Sequence, residues 1–227
     1  MLLEICAYNI QSCIRAASAG AGRIELCSDP VQGGVTPGFG IINYVQEVVS
    51  IPVSVMIRPR GGDFVYDSDE MEICRRDILQ CREMGCSGVV VGAAQYDGSL
   101  DTDKMRRFAE WAYPMQVTCH KVFDGVPDAS AGLELLIEAG YTRVLTSGLK
   151  RTAWEGAEIL KALITQAGGR IAIMPGGGVR SSNIGAIARA TGAGEFHSSA
   201  ILNTADGYTA HEDEINNLLK ELNKIHF

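Results

Sequence analysis

The sequence predicts an α/β protein, a single (β/α)8 barrel of the TIM type spanning residues 1–227. Three observations carry this reading. Short β-type runs alternate with amphipathic helical stretches eight times along the chain. No linker, low-complexity run or break in composition interrupts them. No GxGxxG follows the first strand, as expected of a doubly wound dinucleotide-binding sheet, the runner-up architecture. At 227 residues the chain is short for a barrel, so its loops must be lean.

In order, strands are expected near 2–6, 23–27, 53–58, 88–92, 116–120, 143–146, 171–174 and 195–197. Helices are expected near 10–19, 41–49, 68–84, 102–111, 129–139, 153–166, 183–190 and 213–224. Asp67 and Ser68 are suited to cap the third helix, whose first turn is acidic. Gly20, Gly85, Gly140 and Gly168 stand where helices must stop.

The composition narrows the function. A net charge of −7 argues against a nucleic-acid binder, which would be basic. "MLLEICAYNI" lacks a basic leader, and no run reaches the roughly 20 apolar residues that span a bilayer, so no membrane role is expected. Seven cysteines without CxxC spacing point to free thiols in a reducing compartment, the cytoplasm. Cys13, Cys74 and Cys81 fall on helical stripes, and Cys119 alternates onto an apolar strand face, so these are read as packing residues.

Strand side chains alternate, so each barrel strand has a helix-facing and a lumen-facing set. The helix-facing set must be apolar: Leu3 and Ile5, Ile24 and Leu26, Val53 and Val55, Val117, Ile171 and Ile173, Phe196. The lumen then receives Glu4 and Cys6, Glu25 and Cys27, Met56 and Arg58, Thr118 and His120, Glu195 and His197. Most barrels fill this space with branched apolar side chains. Buried charges are costly unless paired, so these ionisable groups form either a charge-matched network or a site.

Four constellations bear on chemistry. "IMPGGGV" and "FHSSA" close strands seven and eight, and Gly176, Gly177, Gly178 and Ser198 are candidates to hold a phosphate or carboxylate. "MIRPRGGDF" places Arg58 and Arg60 just past strand three. Either guanidinium can capture an oxyanion, but Arg58 can equally neutralise Glu25, and Arg60 can be a solvated rim residue. "HKVFD" offers His120 as acid or base, with Asp124 either orienting it or capping the next helix. Cys6 and Cys27 end neighbouring strands, where two soft thiolates suit Cu(I), unless they are simply buried inert thiols.

Taken in order, "LEIC", "AGRIELCS", "GGVTPG", "IPVSVMIRPRGGDFVY", "HKVFD", "IMPGGG" and "EFHSSA" resemble the CutC family, named for copper homeostasis. The resemblance implies cytoplasmic TIM barrels that form dimers or larger homo-oligomers. It also implies that Cys6 and Cys27, in "LEIC" and "IELC", match the family's proposed copper ligands. One departure is that the family usually reads HRAFD where this chain has "HKVFD", so Lys121 keeps a charge but loses the planar guanidinium.

Two functions follow as expectations. One is copper homeostasis through Cu(I) bound at Cys6 and Cys27. The other is an enzyme (lyase, isomerase or hydrolase) acting on a small anionic metabolite. There Glu25, Arg58, His120 and Asp124 would be catalytic, and Glu4, Arg60, the Gly176–Gly178 loop, His197 and Ser198 would bind the ligand. A barrel acting only through oligomer contacts is the third option.

Overall fold

The structure is a computed structural model and describes residues 1–225. Eight strand–helix units follow one another: β1 (Leu2–Ala7), α1 (Ile10–Ala19), β2 (Arg23–Leu26), α2 (Phe39–Val48), β3 (Val53–Met56), α3 (Ser68–Glu83), β4 (Gly88–Val91), α4 (Thr102–Ala112), β5 (Gln116–Cys119), α5 (Ala129–Glu138), β6 (Arg143–Thr146), α6 (Ala157–Ala167), β7 (Ala172–Pro175), α7 (Ile184–Thr191), β8 (Glu195–Ser198) and α8 (Glu212–Asn223). The strands pair in parallel in the order β7-β6-β5-β4-β3-β2-β1-β8, and β7 and β8 lie side by side to complete the ring. This is the (β/α)8 barrel.

Boundaries follow local chemistry. Asp67 caps α3 in a reciprocal box: its side chain accepts from the Glu70 N–H, and Glu70 accepts from the Asp67 N–H. Gly20 and Gly168 end α1 and α6 in the left-handed region, which a Cβ would strain. The expected helix at 153–166 starts four residues later, at Ala157, because Gly148 and Gly156 pack backbone to backbone and hold that stretch in turns. Short 3-10 turns at Pro30–Gln32 and Lys121–Gly125, not expected from periodicity, follow β2 and β5.

Apolar side chains separate into two bodies. The larger joins the outer faces of the strands (Leu3, Ile5, Ile24, Leu26, Val53, Val55, Val117, Phe196) to the helices and includes Cys13, Cys74, Cys81 and Cys119. The smaller, Cys6, Cys27, Met56 and Val90, lies in the lumen. Below it the lumen is ionic. Register sets Glu4 opposite both Arg23 and His197. Arg23 donates to Glu4 (2.5 Å) and to Glu195 (2.7 Å), Arg143 pairs with the same Glu195, and Arg143 also reaches Thr118 at 3.1 Å. Two guanidiniums and two carboxylates thus neutralise each other where neither sign could be buried alone.

Removing one member leaves a buried charge unpaired. Arg23→Met should lower unfolding free energy by about 3–5 kcal/mol, read from urea denaturation. A loss below about 1 kcal/mol, the range of an exposed pair, would contradict the network.

Candidate functional site at the barrel mouth

Above the ionic layer, at the C-terminal ends of the strands, a cavity of about 150 Å3 opens among Cys6, Tyr8, Glu25, Met56, Arg58, Phe64, His120, Lys121, Leu145 and His197. A larger hollow, about 490 Å3, lies at the opposite end around Met1, Leu2, Ile171 and Gly194, and among the described residues its only side-chain ionisable group is Glu195. Chemistry therefore concentrates at the smaller cavity, on the barrel face where active sites are built.

One side of the cavity comes from β1, β2 and β8. The Cys6 and Cys27 sulfurs lie 3.9 Å apart. Cys27 Sγ is 3.5 Å from a Glu25 carboxyl oxygen, two residues back on the same strand face. His197 Nδ1 is 2.8 Å from Glu4, and its Nε2 faces Glu25 at 3.8 Å. Ligand atoms of Cys6, Glu25 and Cys27 lie within 4.8 Å of one another, as do those of Glu4, Glu25 and His197. Both trios are geometrically able to hold a metal ion.

These groups share charge. Burial opposes ionisation of Glu4, but hydrogen bonds and charge from His197 and Arg23 outweigh it and hold its pKa at about 2. Burial also disfavours a charged His197, yet Glu25, Cys6 and Glu4 around it keep its pKa well above the ordinary value. The hydrogen bond from Cys27 draws Cys6 well below the usual thiol range despite burial, with His197 assisting. Burial pushes Cys27 and Glu25 up. The cluster thus favours the anionic forms of Glu4 and Cys6 and the charged form of His197, and the neutral forms of Cys27 and Glu25.

The other side comes from β3, β4, β5 and their loops. Arg58 does not pair with Glu25. Its guanidinium donates to the carbonyls of Gln32 (2.6 Å), Gly34 (3.1 Å) and Gly62 (2.6 Å) and lies over the Phe64 ring. It therefore ties the loop after β2 to the loop after β3. His120 Nδ1 accepts the Val122 N–H at 3.2 Å, which leaves the ring proton on Nε2. Its ring lies 4.7 Å from that of Phe64. Burial, with the Arg58 charge adding to it, lowers the His120 pKa to about 3, so this imidazole is neutral. Gly92 makes room for it: a Cβ there would sit 2.6 Å from His120 Cε1.

Four expected site residues stand elsewhere. Asp124 neither orients His120 nor caps a helix. The 3-10 turn swings it toward the loop after β6, where it accepts from Thr146 Oγ1, from the Ser147 hydroxyl and N–H, and from the Leu149 N–H. The cap of α5 is Asp128. Arg60 turns away from the mouth to pair with Glu70 and with Asp63 (2.9 Å), because Pro59 and Gly61 redirect the chain. Ser198 alternates with His197 onto the outer face and donates to the Val179 carbonyl at 2.8 Å. Gly176 is a packing position, since a Cβ would meet Leu145 at 2.3 Å. Gly177 and Gly178 adopt positive φ, and Gly177 runs close to the Lys121 ammonium. Tyr8, Phe64 and Leu145 complete the cavity wall. Only the hydrophobic flank of "DFVY" hinted at any of them.

Comparison with known proteins identifies the family. The CutC family model matches residues 1–202. The mouse copper homeostasis protein cutC homolog is 46% identical over 199 residues, 88% of this chain and 73% of that protein. A CutC family protein of Parabacteroides distasonis is 47% identical over 200 residues, 88% of this chain and 82% of the relative. The crystal structure of the Streptococcus agalactiae CutC protein superposes with a TM-score of 0.84 at 33% identity, covering 88% of this chain and 98% of that one. The fold and mouth define a (β/α)8 barrel with a thiol, carboxyl and imidazole cluster at the C-terminal ends of its strands. The chain belongs to the CutC family, and so to a family named for copper homeostasis. Among the described residues, no helix is long and apolar enough to cross a membrane.

The His120 environment sets a pH signature. Its folded pKa lies below the ordinary 6.5, so its contribution to stability is present above pH 6.5 and is lost as pH falls toward 3. Glu4 adds a second loss as pH falls from about 4.5 toward 2. Because His197 and Glu25, with raised pKa values, titrate in the opposite sense, the reading is a difference: from pH 6.5 to 5 the wild-type urea midpoint should fall relative to that of His120→Gln. Parallel profiles would contradict a neutral buried His120.

Proposed function

We propose that this chain serves copper homeostasis by binding Cu(I) at the barrel mouth through Cys6 and Cys27, with copper as its cargo. The carrying observation is the 3.9 Å separation of the two buried sulfurs. Two thiolates sharing a metal at about 2.3 Å each, the length of a zinc–thiolate bond, stand no more than about 4.6 Å apart. Both sulfurs can therefore bind one ion without strand movement, at an S–metal–S angle of about 116°. That bend leaves room for a third donor, and Glu25 is within reach. Soft sulfur donors select Cu(I) over harder cations. The lowered pKa of Cys6 eases its ionisation to the thiolate that binds metal, and binding displaces the protons the thiols hold.

The seven free cysteines suit the reducing cytoplasm. A homo-oligomer, dimer or larger, is the assembly we infer; the exposed Phe39, Tyr44 and Val48 on α2 suit such a contact. A second reading, binding of a small anionic metabolite for acid–base chemistry, draws on the other side of the cavity. There Arg58 is buried without a carboxylate partner, beside the neutral His120.

Anaerobic competition against a tight Cu(I) chelator tests the copper reading. One equivalent should transfer to the wild type, with affinity falling at least about 100-fold in Cys6→Ser/Cys27→Ser as both soft ligands are lost. Affinity unchanged in the double variant would overturn it.

A further inference from the structure

Three buried polar atoms of residues that line the mouth cavity have no partner among the described residues: Glu25 Oε1, Arg58 Nε and His120 Nε2. Their residues are 2%, 6% and 3% exposed. Unsatisfied buried polar atoms are few in native proteins, and three around one cavity mark a place where a ligand completes the bonding. The copper reading leaves two of the three unused, since Arg58 and His120 offer no soft donor.

The three atoms specify complementary chemistry. His120 Nε2 carries a hydrogen because Nδ1 is already an acceptor, so it donates. Arg58 Nε–H also donates, and the guanidinium brings a positive charge that meets carbonyl dipoles and the face of the Phe64 ring. Two donors, one of them cationic, suit a carboxylate. Glu25 Oε1, across the cavity, suits a hydroxyl, which can donate to a carboxylate or accept from a carboxylic acid. Met56 and Phe64 supply apolar wall between them, enough for a short carbon skeleton. A cavity of about 150 Å3 holds roughly six heavy atoms, as the benzene-sized cavities of other proteins do.

We propose that the barrel mouth binds a small 2-hydroxy carboxylate, with its carboxylate on Arg58 and His120 and its hydroxyl on Glu25. This rests on the second functional reading, that the mouth holds a small anionic metabolite, and names its substrate class. A tetrahedral phosphate is a poorer fit, since it brings more oxygens than these two donors satisfy. The Gly177–Lys121 rim does not line up with Ser198 as a phosphate cradle would require, because Ser198 is committed to Val179 on the outer face. The site would therefore sit beside the thiols, on the opposite side of the Glu25 carboxyl from Cys27.

Lactate, propionate and inorganic phosphate are the probes, titrated calorimetrically into the copper-free, reduced protein. Lactate should bind with one site per chain, and propionate, which lacks only the hydroxyl, about fivefold more weakly. His120→Phe should weaken lactate about tenfold, with circular dichroism confirming the fold. In the unaltered protein, lactate should shift the His120 Nε2 resonance in a 15N spectrum while leaving it protonated. Equal affinity for lactate and propionate would overturn the hydroxy-acid class while leaving an anion site in place. Tighter binding of phosphate than of either would overturn the carboxylate assignment. No binding of any probe, with the three atoms satisfied by water alone, would overturn both this proposal and the reading on which it rests.

Discussion

Arg23 is the buried cation on which the barrel interior depends. It joins Glu4 on β1 to Glu195 on β8 from its own place on β2, and so ties three consecutive strands of the ring through charge. Glu195 then passes the pairing on to Arg143 on β6, across the one seam of the barrel, between β7 and β8, that no strand ladder closes. Ion pairing in the lumen thus does part of what backbone hydrogen bonds do elsewhere. Such a network is weak evidence for stability in itself, because desolvation consumes most of the Coulombic gain. Its consequence is specificity: with Glu4 held ionised, His197 has a fixed partner for Nδ1, and its other nitrogen is directed at Glu25. The ionic floor therefore sets the electrostatics of the mouth above it.

The mouth divides by chemistry. Strands β1, β2 and β8 bring sulfur, carboxyl and a charged imidazole; β3 and β5 with their loops bring a guanidinium, a neutral imidazole and an aromatic ring. The two histidines show how environment decides role. His197 is surrounded by carboxyl groups and a thiol and is held charged, whereas His120 faces Arg58 and Phe64 and is held neutral. One is a counter-ion for an anionic cluster, the other a hydrogen-bond donor. Glu25 has one carboxyl oxygen turned to Cys27 and His197 and the other unpartnered among the described residues.

Period-two alternation was enough to bring Glu4 and Cys6, Glu25 and Cys27, and Glu195 and His197 into the lumen, but it did not single out Arg23, and the polar Ser198 alternates onto the outer face. It was not enough for β6. A four-residue strand that begins with Arg143 resembles a solvated strand start, and its place in the ionic floor became visible only once the ring brought Glu195 and Thr118 beside it. Asp124 illustrates the opposite failure. Four residues after His120 it looked like a partner, but the 3-10 turn between them rotates the carboxylate toward Ser147. Arg60 could be read either as an oxyanion-capturing residue or as a solvated rim residue, and the acidic first turn of α3 claims it through Glu70. Loop residues, whose direction depends on tertiary partners, were the illegible part. Strand residues, whose direction depends on their neighbours in sequence, were more legible, Arg143 and Ser198 excepted.

The central claim is that two strand-tip sulfurs form one metal site. X-ray absorption at the copper edge on protein loaded with one equivalent of Cu(I) tests it most directly. The account predicts a first shell with two sulfur scatterers in the wild type that is lost in Cys6→Ser/Cys27→Ser. A first shell of nitrogen and oxygen only, or one unchanged by the double substitution, would contradict it.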